Sequence, residues 1–67
     1  MIDIMLNGAP FQVPAGQTLD QLISELQLQQ QSLALAVNRS VVPRQAWPAR
    51  TLAPRDQVDI VRAIGGG

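Results

Sequence analysis

The fold is decided by residues 2–26, which read IDIMLNGAPFQVPAGQTLDQLISEL. Apolar and polar residues alternate over residues 2–6, and this period of two predicts a β-strand. Asn7-Gly8 follows, and both residues accept the positive φ angles of a tight hairpin turn. Residues 11–13 continue the alternation as a second strand. The chain is therefore expected to open with a β-hairpin.

The second half of the same stretch predicts a helix. Thr18 and Gln21 have the spacing of a capping box, in which each side chain bonds to the backbone of the other residue. Large apolar residues then recur on one helical face, at Leu19, Leu22, Ile23 and Leu26. The pattern predicts an amphipathic helix from residue 18 to about residue 28, lying on a sheet.

The rest of the chain predicts three more strands. Large and small apolar residues alternate over residues 33–37, and Val41-Val42 is a short strand that Pro43 ends. A helical turn ended by Pro48 is expected next, before a last alternating strand over residues 58–63. This order fits the β-grasp arrangement of the α+β class, a mixed four- or five-stranded sheet wrapped on one helix.

One domain over residues 1–64 accounts for all of these elements. Alternation directs the large residues of the strands to the helix and leaves the opposite face of the sheet open. Small or apolar side chains on that open face predict a partner-binding patch. Its predicted members are Met5, Ala34, Ala36, Val61, Ala63 and the adjoining Ile64.

Composition excludes several classes of protein. The net charge is zero, which argues against binding to nucleic acid or to a membrane surface. No apolar run is long enough to span a bilayer, and the first residues are unlike a signal peptide, so a cytoplasmic location is expected. Histidine and cysteine are absent, which removes the usual general base, thiolate and metal ligands. The sequence predicts a protein that is not an enzyme by itself and binds no metal or cofactor.

The chemistry is expected at Gly65-Gly66-Gly67, where the sequence ends. Glycine has no Cβ, so residues 65–67 are predicted to form a thin, flexible tail that fits a narrow active site. The terminal carboxylate is ionised at neutral pH and is a poor electrophile, so it requires activation by a partner, most simply as an adenylate made from ATP. A frayed end without a function is the alternative.

Further residues carry a resemblance to a known family. The chain resembles the bacterial sulfur carrier proteins of thiamine thiazole biosynthesis over nearly its full length. Val41-Val42-Pro43-Arg44-Gln45-Ala46-Trp47 is the most discriminating segment, whereas the Gly66-Gly67 end is shared by all ubiquitin-like carriers. The other matching segments are residues 15–19, 35–38 and 56–58.

The resemblance implies a role for the tail. In that family an E1-like enzyme uses Mg-ATP to adenylate the terminal glycine, which here is Gly67. A cysteine-derived persulfide protein supplies sulfur, and the resulting thiocarboxylate donates it to thiazole synthase. Gly65 and Gly66 would give the partners access to the carbonyl.

Several alternatives remain open from the sequence alone. The chain is also similar to the small subunit of molybdopterin synthase and to carriers of other sulfur pathways. A β-grasp interaction module and a protein tag are alternatives of another class. Asp3 and Asp59 lie side by side if the first and last strands are neighbours, although a solvated pair is the favoured interpretation. Trp47 is expected at one end of the core, with Arg44 either over its ring or against the adenylating enzyme.

Overall fold

The computed structural model describes residues 1–62, which form one mixed sheet and one α-helix packed on its apolar face. The elements are β1 (Ile2–Leu6), β2 (Ala9–Val13), α1 (Leu19–Glu25), β3 (Leu33–Val37), β4 (Ser40–Val42), a 3-10 helix (Arg44–Ala49) and β5 (Gln57–Arg62). The five strands lie in the order β2-β1-β5-β3-β4. Only the β1–β5 pair among them is parallel. The predicted β-grasp arrangement is confirmed, with β5 as the central strand.

The opening hairpin has the predicted turn. Asn7 and Gly8 have φ angles of 50° and 82°, so both occupy the left-handed region that a two-residue hairpin requires. Because the turn consists of Asn7 and Gly8 alone, Leu6 pairs directly with Ala9. The strand β2 therefore begins at Ala9, two residues before the predicted start. Pro10 is tolerated in β2 because this strand lies at the edge of the sheet.

The helix begins as predicted. The Gln21 backbone N–H donates to Thr18 Oγ1 at 3.2 Å, and the Thr18 N–H donates to Gln21 Oε1 at 3.0 Å. Both bonds of the capping box are therefore formed. They satisfy two donors at the helix start that have no partner within the helix.

The helix ends earlier than predicted, at Glu25 rather than near residue 28. Gln27 has a φ angle of 61°, and its N–H donates to the Ser24 carbonyl at 3.0 Å. The Leu28 N–H donates to the Ile23 carbonyl, also at 3.0 Å. These two bonds form a Schellman motif, in which glutamine occupies the left-handed position that glycine usually takes.

The core lies between the sheet and the helix. The predicted inward positions of β1, β3 and β5 are confirmed, since each is either buried or packed against the buried cluster. A 62-residue described region has room for one such core, and each fully buried aliphatic side chain contributes roughly 1.5–3 kcal/mol. The buried apolar residues are Ile4, Val13, Leu19, Leu22, Ile23, Leu35, Val37, Trp47, Leu52 and Val58.

Two local predictions are corrected. Pro48 lies inside the 3-10 helix, which ends at Ala49, so the proline does not end the helical turn. Asp3 and Asp59 are not side by side, because the parallel register pairs Leu6 with Val58 and so places Asp59 beyond the end of β1. Within residues 1–62, no helix is long and apolar enough to cross a membrane.

Candidate carrier tail and docking face

The central strand β5 leads to the predicted tail. Its last described residue, Arg62, pairs with Leu33 at the start of β3. The predicted site residues Ala63, Ile64, Gly65, Gly66 and Gly67 lie outside the described residues. The structure thus shows which strand precedes the tail, and that strand is hydrogen-bonded to a neighbour on each side.

The open face of the sheet carries a compact apolar patch beside the end of β5. Ala34 is paired with Val61, and Ala36 is paired with Val41 on its other side. Val61 and Val41 are 61% and 77% exposed, and contiguous exposed apolar side chains are typical of protein-binding surfaces. We call Ala34, Ala36, Val41 and Val61 the docking face.

Met5 was predicted in the same patch, but the structure places it apart from the docking face. Met5 is paired with Gln57 on one side and Pro10 on the other. Ala36 is paired with Asp59, two residues farther along β5 than Gln57. Two polar side chains, those of Gln57 and Asp59, therefore separate Met5 from the docking face. The alternation of β1 placed Met5 on the correct face of the sheet, but the β1–β5 register puts it at the other end of that face.

Val41 was missed as a member of the docking face. Its neighbour Val42 packs against the core, so alternation within β4 sends Val41 to the open face. Its pairing with Ala36 then makes it continuous with the patch. Alternation between Val41 and Val42 could have assigned Val41 to the open face, but only after residues 40–42 were known to form the edge strand β4.

The start of β5 is held by a polar cluster around Asp56, the one charged residue buried among those described. Asn38 Nδ2 donates to Asp56 Oδ1 at 3.0 Å, and the Ala53 N–H donates to Oδ2 at 2.8 Å. Arg50 lies 4.0 Å from the same Oδ2. Buried carboxylates require such donors, so Asn38 and Asp56 have a structural role.

The segment that carries most of the resemblance also has a structural role. The Trp47 side chain is buried, and its Nε1–H donates to the Val42 carbonyl at 2.9 Å. The Arg44 guanidinium lies over the Trp47 ring, 4.6 Å from its centroid, and donates to the Gln31 carbonyl at 2.8 Å. The expected position of Trp47 is confirmed, and of the two alternatives for Arg44 the structure shows the contact with the ring. Arg44 thereby ties the loop after α1 to the 3-10 helix.

The described residues offer little chemistry of their own. The sequence contains no histidine or cysteine. Within residues 1–62, no three acidic side chains come together in a way that would hold a metal ion. The arrangement can present an apolar face and the end of a central strand to another protein. Both features suit a carrier whose reacting group lies beyond the core.

Comparisons with known proteins agree with this arrangement. The ThiS family matches residues 4–67 of the chain. The chain is 35% identical to the sulfur carrier protein ThiS of Escherichia coli (strain K12), covering 98% of this chain and 100% of that protein. It is similar to the crystal structure of thiamine biosynthesis protein ThiS from Geobacter metallireducens, with a TM-score of 0.86, 28% identity, and coverage of 98% of this chain and 100% of that one.

A third relative is a much longer protein. The chain is 39% identical over 64 residues to a thiazole synthase of Magnetococcus marinus. The match covers 96% of this chain but only 20% of that synthase. The family match spans residues 4–67, and the E. coli relative matches 98% of the chain. The chain belongs to the ThiS family.

Proposed function

We propose that this chain is a sulfur carrier for the thiazole ring of thiamine and that the carboxylate of Gly67 carries the sulfur. The observation that supports this most strongly is the similarity to the E. coli sulfur carrier, which covers 98% of this chain and 100% of that protein. The Gly66-Gly67 end supplies the expected reacting group. The β-grasp domain would serve to present that group.

The proposed chemistry follows from the weak reactivity of a carboxylate. An ionised carboxylate resists nucleophilic attack, so an E1-like enzyme would use Mg-ATP to convert Gly67 to an acyl adenylate, with release of pyrophosphate. The outer sulfur of a cysteine-derived persulfide on a partner protein would then attack the carbonyl and displace AMP, which gives an acyl persulfide. A thiol of the partner would cleave the S–S bond, so that a disulfide forms on the partner and the thiocarboxylate is released on Gly67. Glycine suits both steps because no Cβ obstructs the carbonyl carbon. The chain has no histidine or cysteine, so its partners would perform the catalysis and it would act as their co-substrate.

Thiazole synthase is the proposed acceptor of the sulfur. In the Magnetococcus marinus relative, a region similar to this chain is part of a protein that is itself named a thiazole synthase. Joining two proteins in one chain keeps them at a high effective concentration, which favours components that act in sequence. The E1-like enzyme and the persulfide protein are proposed from the resemblance to the family. The cytoplasmic location stays a prediction.

A growth experiment separates this function from the molybdopterin alternative. A host strain without the gene for this chain is expected to require thiazole or thiamine and to keep its molybdenum enzymes active. A strain that grows without thiamine but loses molybdenum-enzyme activity would refute the proposal. A Gly67-deleted copy is the matched control, because it should be made and folded without restoring growth.

The docking face is the proposed site of contact with the adenylating enzyme and thiazole synthase. A charge at Val61→Asp or Ala34→Glu is expected to weaken binding to at least one partner by about five- to thirtyfold, the effect of about 1–2 kcal/mol at an interface. The free energy of unfolding should change by about 0.5 kcal/mol or less, since both side chains are exposed. Calorimetric titration and urea unfolding measure the two quantities.

Gln45→Glu is the control for the docking face. Gln45 is exposed in the 3-10 helix, outside the open face, and the substitution adds the same single negative charge. It should leave binding unchanged. If the Val61 and Ala34 variants bind both partners as tightly as the parent protein, the contact surface lies elsewhere.

A further inference from the structure

Two asparagines from different hairpins bond to the central strand β5. Asn38 and Asn7 each occupy the first position of a two-residue turn, with φ angles of 52° and 50°. The Asn38 N–H donates to the Gln57 carbonyl at 2.8 Å, and Asn38 Oδ1 accepts from the Gln57 N–H at 3.0 Å. The side-chain carbonyl thus takes the place of a backbone carbonyl in an antiparallel pair. Asn38 holds the start of β5.

Asn7 makes the equivalent pair of bonds farther along β5. Its N–H donates to the Val58 carbonyl at 2.9 Å, and its Oδ1 accepts from the Ile60 N–H at 2.8 Å. In a parallel ladder, one residue donates to one carbonyl of the neighbouring strand and its own carbonyl accepts from the N–H two residues on. The Asn7 backbone turns away at this point, and its side chain completes the ladder instead.

The hydrogen bond from the Ile60 N–H to Asn7 Oδ1 lies beyond the end of β1, where β5 has no paired strand on that side. β1 ends at Leu6, which pairs with Val58, whereas β5 continues to Arg62. Among the hydrogen bonds of residues 1–62, the bond from the Ile60 N–H is the last on the β1 side of β5. A two-residue turn also accepts glycine or aspartate at its first position, so the turn alone does not require a side-chain amide.

We propose that Asn7 is a positioning residue for the carrier tail, because its side chain fixes the last part of β5 before the tail begins. This inference rests on the proposed function. A strand end that is bonded on both sides loses less conformational entropy when a partner binds the residues that follow it. Asn7 would therefore lower the concentration of carrier that the adenylating enzyme needs, without touching the reacting carboxylate.

Two substitutions at Asn7 separate the bond from the turn. Asn7→Gly keeps the left-handed backbone of the turn but removes the side-chain oxygen that accepts from the Ile60 N–H. Asn7→Asp keeps both the left-handed backbone and a side-chain oxygen acceptor. In Asn7→Gly, the Ile60 amide should exchange with solvent faster than in the parent protein. The KM for the carrier in adenylation should rise about two- to tenfold, the range for one net hydrogen bond, with kcat nearly unchanged. Asn7→Asp should stay within about twofold of the parent KM, because its carboxylate oxygen can accept the same hydrogen bond.

Asn38→Gly is the control for stability. It removes the bond at the start of β5 and also the bond to Asp56, so it should lower the free energy of unfolding at least as much as Asn7→Gly. Its KM for adenylation should nevertheless match that of the parent. An equal rise in KM for both glycine variants would mean that stability alone explains the effect, and the inference would be wrong.

Two other results would also overturn the inference. An unchanged Ile60 exchange rate in Asn7→Gly would show that the bond is not formed in solution. A parental KM together with faster exchange would show that the bond does not affect docking. If the unmodified chain is not adenylated at all, the proposed function fails instead. Amide exchange is measured on the carrier without its partners, so it shows whether the Ile60–Asn7 hydrogen bond forms even if the proposed function is wrong.

Discussion

A chain that lacks Gly67, or that carries one extra residue after it, is expected to lose sulfur transfer completely and to keep its fold. The reacting group in the proposed function is the Gly67 carboxylate, and the buried core lies within residues 4–58. Deletion moves the carboxylate out of reach of the adenylating site, and extension converts it to an amide. Adenylate formation with the partner enzyme and Mg-ATP measures the loss, and circular dichroism measures the fold.

The tail prediction has a graded control. Gly66→Ala leaves the carboxylate in place but adds a methyl group beside the reacting carbonyl, so it should react more slowly than the parent without being inactive. A parental rate for this variant would refute the steric argument. The main prediction would be contradicted by a tail-extended protein that restores thiazole synthesis in the host while its intact mass shows that the extra residue is still attached.

The second large effect is expected for Trp47→Ala, which should destabilise the domain by about 3–5 kcal/mol. The side chain is 2% exposed, donates a hydrogen bond to the Val42 carbonyl and packs beneath the Arg44 guanidinium. A chain of 67 residues has roughly 3–10 kcal/mol of total stability, so about a third of it or more would be lost. Urea unfolding should be followed by far-UV circular dichroism, because the substitution removes the only tryptophan.

Arg44→Ala is the matched comparison for Trp47. It removes the cation–π contact and the bonds to the loop after α1 but leaves the buried ring in place, so it should cost only about 1–2 kcal/mol. A Trp47→Ala protein whose stability lies within about 1 kcal/mol of the parent would show that the indole does not fill the core. The resemblance of residues 41–47 to the family would then need a functional explanation instead of a structural one.

Much of the fold could be predicted from local pattern. The alternation of residues 2–6 and 33–37, the Asn7-Gly8 turn and the Thr18 capping box are interactions between residues close in sequence, and each was confirmed. The end of α1 was not predictable in this way. Glutamine at position 27 gives no sign that it will adopt a φ angle of 61°, a conformation that glycine normally takes.

The candidate site was only partly predictable, because its layout depends on pairings between distant segments. Alternation assigns Met5 and Ala36 to one face of the sheet, but the parallel register of β1 and β5 separates them. The bond from Ile60 to Asn7 joins residues 53 positions apart, so no local pattern could reveal it. The tail stays a prediction from the sequence, because residues 63–67 lie outside the described part of the chain.

Whether Gly67 carries sulfur can be measured from the intact mass of the protein isolated from its host. A fraction of the molecules is expected to have one oxygen atom replaced by sulfur, with fragmentation locating the change at Gly67. That fraction should disappear when the adenylating enzyme is absent. A protein whose Gly67 carries only an ordinary carboxylate, in cells that are actively making thiazole and contain no other carrier, would show that Gly67 is not the sulfur carrier.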